Sequence, residues 1–384
     1  MPGFPFGSPV PALMASVERE TDERFMRMAL REARKGLGRT SPNPAVGAVI
    51  VKGQDVIARG YHRKAGMPHA EIEAIQRAGK GAAGSTLYVT LEPCNHEGRT
   101  PPCTREIAGA GIKRVVAGMA DPNPHVRGGG FRFLAAQGIE VTEGILEQDC
   151  ARINEAFVKY VTEGSPFVSV KSALTLDGWC ATSTGHSQWV SNEKSRRFVH
   201  RLRDRVDAIM VGVGTVLRDD PMLTTRTVRG RDPVRIILDT RLSTPPDAKV
   251  IDHDSRAETI LVAGDDAGRG RIERLEARGV RVLRCTQKGE MIDLRRLLEI
   301  LGKMQFTSIL VEGGAAVIGS FLRERLVDKF YIFSAPKILG GDDGRPMATG
   351  AGPKRMDMCT ALGGISTRRF GDDTLTVGYP VYKG

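Results

Sequence analysis

Residues 68–103 read PHAEIEAIQRAGKGAAGSTLYVTLEPCNHEGRTPPC, and this stretch indicates the fold of the first half of the chain. Proline suits the first turn of a helix, so Pro68 opens a predicted helix that stops near Gly79. The apolar run at 85–91 has the length of a strand. Pro102 opens a second helix, so the stretch predicts a helix–strand–helix unit.

Helices and strands also alternate on both sides of this stretch. A helix with one apolar face is predicted at 21–35, and another at 146–160. Three further apolar runs, at 45–51, 115–119 and 139–141, have strand length. The alternation predicts an α/β domain whose helices pack on a mixed or parallel sheet.

A break at Gly164, Ser165 and Pro166 separates this domain from a second series of elements. Helices are predicted there at 293–304 and 315–326. Strands are predicted at 167–173, 208–213, 234–238, 259–262, 280–283, 308–311 and 330–333. The sequence therefore predicts a disordered extension at 1–20, an α/β domain at 21–164 and a second α/β domain at 165–384.

The composition is that of a globular protein with free thiols. The 384 residues are 41% hydrophobic and carry a net charge of +11, but the arginines are scattered and form no basic run. A solvated, arginine-rich surface explains this better than a nucleic-acid site, and a small phosphorylated substrate fits equally well. The six cysteines are too sparse for a disulfide scaffold. No apolar stretch could span a membrane and no signal-peptide pattern is present, so we expect a cytoplasmic protein.

One histidine and two cysteines form the strongest candidate site. His69 is predicted at a helix start, Cys94 just after a strand and Cys103 at the start of the next helix. One imidazole and two thiolates suit zinc, and three protein ligands leave a fourth position for water, as in catalytic zinc sites. Glu71, two residues after the histidine, can take a proton from that water and pass it to a leaving amine.

This pattern matches part of the zinc nucleobase-deaminase motif, H-x-E followed by P-C-x-x-C. The first half is present, whereas eight residues separate Cys94 from Cys103. The insert, NHEGRTPP, is polar and turn-forming, so both sulfurs can still face one ion. The alternatives are a structural zinc site with His62 or His96 as fourth ligand, or two ordinary buried thiols.

Two glycine-containing segments of the second half follow predicted strands. GVGT at 212–215 and VEGG at 311–314 would let backbone N–H groups approach a phosphate. Neither is a complete G-x-G-x-x-G, so helix packing and tight turning explain them equally well. Asp239, directly after a strand, suggests a ribose site. Thr240 and Arg241 follow it, and an arginine can accept a 2′-phosphate, which favours NADPH.

Several longer motifs are spread over nearly the whole chain, from about Thr21 to the C-terminus. They are SPNPAVGAVIV (41–51), GYHRKAGMPHAEIEAI (60–75), YVTLEPCNHEGRTPPC (88–103), DPNP (121–124), KSALTLDG (171–178), TSTGHSQWVS (182–191), GVGTVLRDDPMLTTR (212–226), LVEGG (310–314) and APKILGG (335–341). Together they closely resemble the bifunctional riboflavin-biosynthesis deaminase/reductase family. The long cysteine spacing that ends in GRTPPC is the most specific feature, and Thr175 stands where serine is expected.

The resemblance implies an N-terminal cytidine-deaminase-like three-layer domain and a C-terminal dihydrofolate-reductase-like domain. The first would be a zinc hydrolase that removes the 2-amino group of 2,5-diamino-6-(5-phosphoribosylamino)pyrimidin-4(3H)-one. The second would reduce the ribosyl chain to ribityl with NADPH. The resemblance also implies a homodimer or tetramer.

The same resemblance implies roles for individual residues. His69, Cys94 and Cys103 would bind zinc, and Glu71 would shuttle protons. Side chains from both halves would bind substrate: Asn43, His96, Arg99, Thr100, Asp121, Asn123, Lys171, Ser187, Arg203, Leu223, Arg226 and Glu312. Within this set Lys171 and Glu312 would lie near the pyrimidine and distinguish deaminated from non-deaminated substrate, and the arginines would bind its phosphate. A buried Lys–Glu pair that is purely structural is the alternative. NADPH would contact Ala173, Trp189, Thr215, Asp219, Thr240, Arg241, Gly313 and Gly314.

Two other functions remain open from the sequence. An RNA-directed base deaminase with an unrelated partner domain fits the basic charge, although the chain lacks a basic tract with interleaved aromatic residues. A zinc-stapled regulatory protein that binds NADPH without catalysis would need a closed, four-ligand metal site. We therefore predict a small phosphorylated pyrimidine as substrate and expect neither nucleic-acid nor membrane binding.

Overall fold

The computed structural model describes residues 11–97, 101–124, 126, 129–227, 230–252 and 254–382. The chain forms two compact units, Met1–Glu163 and Gly164–Gly384. This division falls at the Gly-Ser-Pro break in the sequence. Across the described ranges, no helix combines the length and the apolar composition that crossing a membrane requires.

The first unit alternates helices with short strands, which confirms its α/β class. Its sheet has the order β2-β1-β3-β4-β5; β1 is antiparallel to β2 and β3, whereas β3, β4 and β5 run parallel. The elements are α1 Pro11–Ala33, β1 Gly47–Lys52, β2 Asp55–Tyr61, α2 Ala70–Ala78, β3 Thr86–Val89, α3 Cys103–Gly109, β4 Arg114–Ala117, α4 Gly129–Ala136, β5 Glu140–Thr142, α5 Glu147–Ile153 and α6 Glu155–Glu163, with 3-10 turns at Arg34–Gly36 and Gly79–Ala82.

Helices cover both faces of this sheet, and two glycines allow them to approach closely. A Cβ on Gly47 of β1 would collide with the α1 backbone at Ala29, and a Cβ on Gly60 of β2 would collide with the α2 backbone at Ala70. Gly60 pairs with Ala48, the neighbour of Gly47, and successive strand residues point to opposite faces. Helices α1 and α2 therefore lie on opposite faces, and the unit has three layers.

Three features of the first unit differ from the sequence prediction. Helix α1 begins at Pro11, so residues 11–20 are helical and are not part of a disordered extension. The helix predicted at 146–160 is interrupted at Asn154, because its amide donates to the Ala45 carbonyl at 3.1 Å and accepts from the Ala45 N–H at 2.8 Å. Strand β2 was not predicted, because exposed polar positions interrupt its apolar pattern.

The second unit is also α/β and is built on one large sheet. Its elements are β6 Phe167–Leu174, β7 Trp179–Ala181, α7 Glu193–Arg203, β8 Ala208–Gly212, α8 Val213–Asp219, β9 Val234–Leu238, β10 Thr259–Ala263, α9 Arg269–Glu276, β11 Arg281–Arg284, β12 Gln287–Lys288, β13 Met291–Ile292, α10 Leu294–Lys303, β14 Ser308–Val311, α11 Ala315–Arg323, β15 Lys329–Ser334, β16 Arg345–Pro346, β17 Ala361–Phe370 and β18 Asp373–Val381, with a 3-10 turn at Met356–Met358.

The large sheet has the order β11-β10-β9-β8-β14-β6-β15-β18-β17. In this spatial order, each strand from β11 across to β15 is parallel to its neighbours. Strands β18 and β17 then extend the sheet with antiparallel pairing. The chain moves outward from β8 to β11 and returns with β14 between β8 and β6. Ligands of open α/β sheets bind at the carboxyl ends of strands near such a reversal, so the loops after β8 and β14 lie at the expected ligand site.

The sequence did not predict helices α7 to α9 or the hairpin of β17 and β18. Strand β17, ALGGISTRRF, is mostly exposed and therefore lacks the apolar alternation that marks a strand. Helix α7 begins after Asn192, whose side-chain oxygen accepts the Ser195 N–H at 3.0 Å. Asparagine is a favoured residue at this position, so the start of α7 was available in the sequence.

Candidate active sites

Three elements of the first unit bring His69, Cys94 and Cys103 together. His69 is the N-terminal cap of α2, Cys94 lies in the loop after β3, and Cys103 is the first residue of α3. The His69 Nδ1 atom is 3.2 Å from the Cys103 sulfur and 3.5 Å from the Cys94 sulfur. In the described part of the chain, these three offer ligand atoms that all lie within 4.8 Å of one another.

The spacing of these atoms fits a zinc ion. Zn–N and Zn–S bonds of about 2.0 and 2.3 Å at a tetrahedral angle place nitrogen and sulfur about 3.5 Å apart. The alternative fourth ligands do not extend the cluster: the His62 ring nitrogens contact Asn43 and the Pro68 carbonyl, and His96 is exposed. Among the residues that the structure describes, the cluster therefore fits a site with three protein ligands and not a closed one with four.

Burial and hydrogen bonding set the charge states around the cluster. The pKa of Cys94 falls to about 4, because the Cys103 thiol, then His69 and the Cys103 backbone N–H, donate hydrogen bonds to its sulfur. Glu71, the second residue of α2, is buried next to these ligands, and burial raises the pKa of its carboxyl. The arrangement supplies a thiolate for a metal and, beside it, a carboxyl whose burial favours its protonated form.

Asn43 is oriented by the buried His62, whose ring centroid lies 5.2 Å from that of His69. Because a carbonyl can only accept, the His62 Nδ1–H donates to the Pro68 carbonyl at 3.1 Å. The Nε2 atom of the neutral ring then accepts from the Asn43 NH₂ group at 3.2 Å. Burial lowers the pKa of His62, which favours this neutral ring. The Asn43 oxygen is thereby left to accept a hydrogen bond from a ligand.

Glu92 was not identified from the sequence. Its buried carboxylate accepts the backbone N–H groups of Asp121, Gly130 and Phe131 at 3.0, 2.9 and 3.3 Å. These bonds tie the loop that carries Cys94 to the DPNP segment and to the start of α4. The sequence shows Glu92 only as an acidic residue shortly after a predicted strand. That position alone does not indicate that the residue supports a metal site.

We expect Glu92→Ala to weaken zinc binding by about 10- to 100-fold, the usual effect of losing a group that supports metal ligands. The substitution leaves three backbone N–H groups, two of them buried, without this acceptor and loosens the loop around Cys94. Competition with a chelator measures the zinc affinity. Glu97→Ala is the matched control, because Glu97 is 74% exposed and pairs with Arg105 at 2.9 Å. An equal loss in both variants would contradict the positioning role.

The predicted substrate-binding residues of the DPNP segment also lie near the metal loop. The Asp121 carboxylate accepts the Asn123 N–H at 2.8 Å. Burial raises the pKa of Asp121, and the charges of Glu92, His96 and Cys94 also act on it, so these groups are neighbours. Two other predicted contacts fall outside the described residues: Arg99 and Thr100.

A charged cluster lies at the carboxyl ends of β6 and β14 in the second unit. Arg203, the last residue of α7, donates to both Glu312 oxygens at 2.7 and 2.9 Å and to the Thr224 carbonyl at 3.0 Å. Burial opposes ionisation of Glu312, but the charges of Arg203 and Lys171 and the hydrogen bonds from Arg203 lower its pKa. Burial lowers the pKa of Lys171, and the charge of Glu312 counters this. Arg203 therefore holds Glu312. Its contact with the substrate phosphate, which the resemblance implies, stays a prediction.

The other predicted substrate residues of this unit are less closely tied to the cluster. The charges of Arg203, Glu312 and Arg226 all act on His200 of α7, so Arg226 belongs to the same region. Two predicted substrate residues are not linked to this region by a described contact. Leu223 is buried and has a φ of 53°. The Ser187 carbonyl accepts the Val190 N–H at 2.9 Å, within its own loop.

The two glycine segments meet beside Glu312. A Cβ on Gly313 would lie 3.0 Å from the Thr215 hydroxyl oxygen, and one on Gly314 would lie 3.7 Å from the same atom. Gly314 has a φ of 73°, which glycine adopts without strain. The GVGT and VEGG segments are thus adjacent at the ends of β8 and β14, where backbone N–H groups can face a phosphate.

The structure places three other predicted cofactor residues on separate elements. Trp189 is 55% exposed, and the Arg196 guanidinium lies 4.4 Å above its ring. Asp219 is the last residue of α8, and burial raises the pKa of its carboxyl. Ala173 lies two residues after Lys171 on β6 and therefore points to the same face of the sheet.

Asp239 stabilises a turn, whereas the sequence suggested that it marks a ribose site. Its buried carboxylate accepts the Ser243 and Thr244 N–H groups at 2.8 and 2.7 Å and the Thr244 hydroxyl at 2.7 Å. It therefore fixes the turn after β9. Its neighbours Thr240 and Arg241 line a cavity of about 470 Å³ at the carboxyl ends of β9 and β10.

Two family models match the chain, one in each unit. The RibD C-terminal domain matches residues 166–376, and the cytidine and deoxycytidylate deaminase zinc-binding region matches residues 19–119. The riboflavin biosynthesis protein RibD of Actinobacillus pleuropneumoniae is 41% identical over 360 residues, which cover 94% of this chain and 96% of the relative. That of Aquifex aeolicus is 46% identical over 323 residues, covering 84% and 89%.

Solved structures are similar over both units. Acinetobacter baumannii RibD, form 1, superposes with a TM-score of 0.84 at 36% identity, covering 94% of this chain and 99% of that chain. A Thermotoga maritima protein described as a diaminohydroxyphosphoribosylaminopyrimidine deaminase/5-amino-6-(5-phosphoribosylamino)uracil reductase superposes with a TM-score of 0.83 at 38% identity, covering 95% and 100%.

Proposed function

The chain belongs to the RibD family of riboflavin-biosynthesis proteins, and from that premise we propose which residues perform each of its two reactions. It is a bifunctional enzyme, with a zinc-dependent deaminase in the first unit and an NADPH-dependent reductase in the second. The comparisons support neither an RNA-directed deaminase nor a regulatory NADPH-binding protein.

The proposed substrate is 2,5-diamino-6-(5-phosphoribosylamino)pyrimidin-4(3H)-one. Its 2-amino group leaves as ammonia in the first reaction, and its ribosyl chain is reduced to ribityl in the second. The description of the Thermotoga maritima relative names the same pair of activities. We assign the deaminase to residues 21–164 and the reductase to residues 165–384.

In the deaminase, His69, Cys94 and Cys103 would hold zinc, which when bound lowers the pKa of a water molecule and so supplies a nucleophile near neutral pH. Glu71 takes the proton from that nucleophile and delivers it to the leaving amine. The support for this role is that Glu71 is buried next to Cys103, in surroundings that raise its pKa. A carboxyl with a raised pKa can hold the proton between the two transfers.

Several polar side chains are proposed to orient the substrate in this site. Asn43, held by His62 through one N–H of its NH₂ group, would accept a ring N–H through its amide oxygen. Asp121, Asn123 and His96 lie near the metal loop and would bind the sugar side. Two residues of the polar insert would bind the ribose or phosphate: Arg99 and Thr100.

In the reductase, Lys171 and Glu312 would bind the pyrimidine. The Lys171 ammonium donates to the carbonyl that deamination creates, whereas in the undeaminated substrate it would face an amino group. A site built to donate such a hydrogen bond strongly rejects an analogue that lacks the acceptor. Arg203 keeps the Glu312 carboxylate in place, and the exposed Arg226 is proposed to bind phosphate. Two further side chains are proposed to contact substrate: Ser187 and Leu223.

NADPH supplies the hydride when it is bound. We propose that its pyrophosphate lies against the two adjacent glycine segments. These segments follow the parallel strands β8 and β14, where the strand order reverses, and their backbone N–H groups can bind a phosphate there. The proposed contacts along the cofactor are Ala173, Trp189, Thr215, Asp219, Thr240, Arg241, Gly313 and Gly314.

The observation that carries this proposal is the close approach of one imidazole nitrogen and two sulfurs at the ends of three elements. If one chain performs both reactions in sequence, purified enzyme given the diamino substrate should release one ammonia for each NADPH oxidised at completion. An enzymatic ammonia assay and the absorbance of the reduced nicotinamide measure the two quantities. NADPH oxidation without ammonia release would contradict the proposed order of reactions.

We also propose a cytoplasmic location and a homodimeric or tetrameric assembly. The six cysteines are free, and zinc-binding thiolates persist most readily in a reducing compartment. The assembly rests on the resemblance to the family. Sedimentation equilibrium measures it, and a monomer at micromolar concentration would contradict it.

A further inference from the structure

We propose that Arg196 is a positioning residue of the reductase, which holds the Trp189 ring as a stacking surface for the nicotinamide of NADPH; this inference rests on the proposed reductase function. The Arg196 guanidinium lies 4.4 Å from the centre of the Trp189 ring, above its face. A cation in this position is attracted by the ring quadrupole, and tryptophan is the strongest partner for it. Trp189 is still 55% exposed, so a planar group can stack on the part of the ring that Arg196 leaves open.

Backbone contacts place Trp189 beside the carboxyl end of β6. Its carbonyl accepts a hydrogen bond from the Lys337 Nζ atom at 2.5 Å, and the Lys337 carbonyl in turn accepts the Leu176 N–H at 2.8 Å. Leu176 follows the last residue of β6, Leu174, by two positions. Because β6 runs parallel to β14, Trp189 lies at the same edge of the sheet as Glu312 and the VEGG segment.

The loop that carries this tryptophan, residues 182–191, is held by arginines of other elements near both of its ends. Near its start, Arg345 of β16 donates to the Ser183 carbonyl at 3.2 Å. Near its end, Arg196 of α7 donates to the Ser191 carbonyl at 2.6 Å. Hydrogen bonds from a charged donor are stronger than those between neutral groups. Arg196 is therefore bound to the loop twice, through a backbone carbonyl and through the indole ring.

The helix that carries Arg196 is anchored at its start. The buried Asp373 carboxylate accepts the Asn192 N–H at 2.8 Å and the Ser195 hydroxyl at 2.6 Å. Phe198, two residues after Arg196, packs on the aromatic cluster of β15 and β17. Arg196 thus projects from a fixed helix onto an exposed loop, as a side chain must if it is to fix the orientation of a ring there.

Indole fluorescence of the full-length enzyme tests this inference without catalysis. The chain has two tryptophans, Trp179 and Trp189, so Trp179→Phe leaves Trp189 as the only indole and serves as the parent enzyme. NADP⁺ does not absorb at the wavelengths where indole emits, and its pyridinium ring quenches an indole only on contact. Quenching by NADP⁺ therefore reports stacking on Trp189. We expect saturating NADP⁺ to quench most of the emission of the parent enzyme.

Arg196→Gln in the parent enzyme keeps a donor for the Ser191 carbonyl but removes the cation above the ring. We expect NADP⁺ at saturation to quench less than about half as much emission, and KM for NADPH to rise about fivefold, as the loss of one cation–π contact predicts. The kcat for reduction should stay within about twofold, because Arg196 contacts the ring and not the reacting atoms. Arg196→Lys restores a cation and should return KM to within about twofold of the parent value.

Arg197→Gln is the matched control. Arg197 is the next residue of α7, is 63% exposed and lies 3.8 Å from Glu193, so quenching and KM should both match the parent enzyme. A second comparison starts from Trp189→Ala. There Arg196→Gln should raise KM no further, because Arg196 acts through the ring that it holds. The inference is overturned if KM rises equally with and without the ring, or if Arg196→Gln retains the full quenching.

Failure of the reductase function would give a different result. Oxidation of NADPH by the wild type with the deaminated substrate tests that function, and its absence refutes it. Oxidation without any quenching of Trp189 by NADP⁺ leaves the function in place and refutes stacking on this ring. Quenching that is equal in the parent enzyme and in Arg196→Gln refutes the positioning role of Arg196 alone.

Discussion

Replacing Glu71 with alanine is expected to lower the kcat for deamination by about 10³- to 10⁴-fold, the upper part of the range for losing a general acid–base group. The Glu71 carboxyl is buried beside the metal ligands, so solvent water is poorly placed to take over its proton transfers. Ammonia release from the diamino substrate measures the effect. NADPH oxidation with the deaminated substrate should remain at the wild-type rate, because the reductase unit is unchanged.

The matched control for this prediction is Glu73→Ala on the same helix. Glu73 forms ion pairs with Arg63 and Arg77, at 2.6 and 2.9 Å, and is directed to those surface arginines. We expect this variant to change kcat for deamination by less than about threefold, because the Glu73 carboxylate pairs with these arginines and not with the metal ligands. Zinc content should be unchanged in both variants. A Glu71→Ala enzyme that deaminates within tenfold of the wild type would exclude Glu71 as the proton carrier.

Lys171→Met is expected to reduce kcat/KM for the reduction step about 100-fold. The loss corresponds to about 2.7 kcal/mol, within the range for a buried hydrogen bond from a charged donor. The ion pair between Arg203 and Glu312 remains, so the Glu312 carboxylate keeps its main partner. The variant should also lose most of its preference for the deaminated pyrimidine. NADPH oxidation with the deaminated and the diamino substrate, each supplied to enzyme that also carries Glu71→Ala, measures both effects.

Lys303→Met provides the comparison for Lys171→Met. Lys303 is an exposed residue at the end of α10, so its loss should leave kcat/KM within about twofold of the wild type. Ammonia release should be unaffected in both single variants. If Lys171→Met reduces the deaminated substrate at the wild-type rate, Lys171 does not bind the pyrimidine.

The metal ligands were predictable because zinc requires particular side chains at particular places. His69, Cys94 and Cys103 each stand at the start of a helix or after a strand, and the structure brings these positions together. Glu92 and His62 were not identified as supporting groups. Their roles depend on backbone groups that tertiary structure brings near, and such contacts leave no local pattern in the sequence.

The α/β class was predictable from the alternation of apolar segments, but the edges of the sheets were not. Strand β17 is exposed along most of its length, so it lacks the periodicity of a half-buried strand. The break at Asn154 depends on hydrogen bonds to Ala45, 109 residues earlier in the chain. Asp239 shows a different limit: an acid after a strand is typical both of ribose binding and of turn stabilisation, and only the surrounding geometry separates the two.

Zinc-edge X-ray absorption of the purified enzyme tests most directly whether a three-ligand zinc site performs the deamination. The account predicts about one zinc per first unit, with two sulfurs at about 2.3 Å, one imidazole nitrogen near 2.0 Å and one light, exchangeable ligand. Protein without zinc, or zinc bound by a second imidazole in place of the exchangeable ligand, would contradict it.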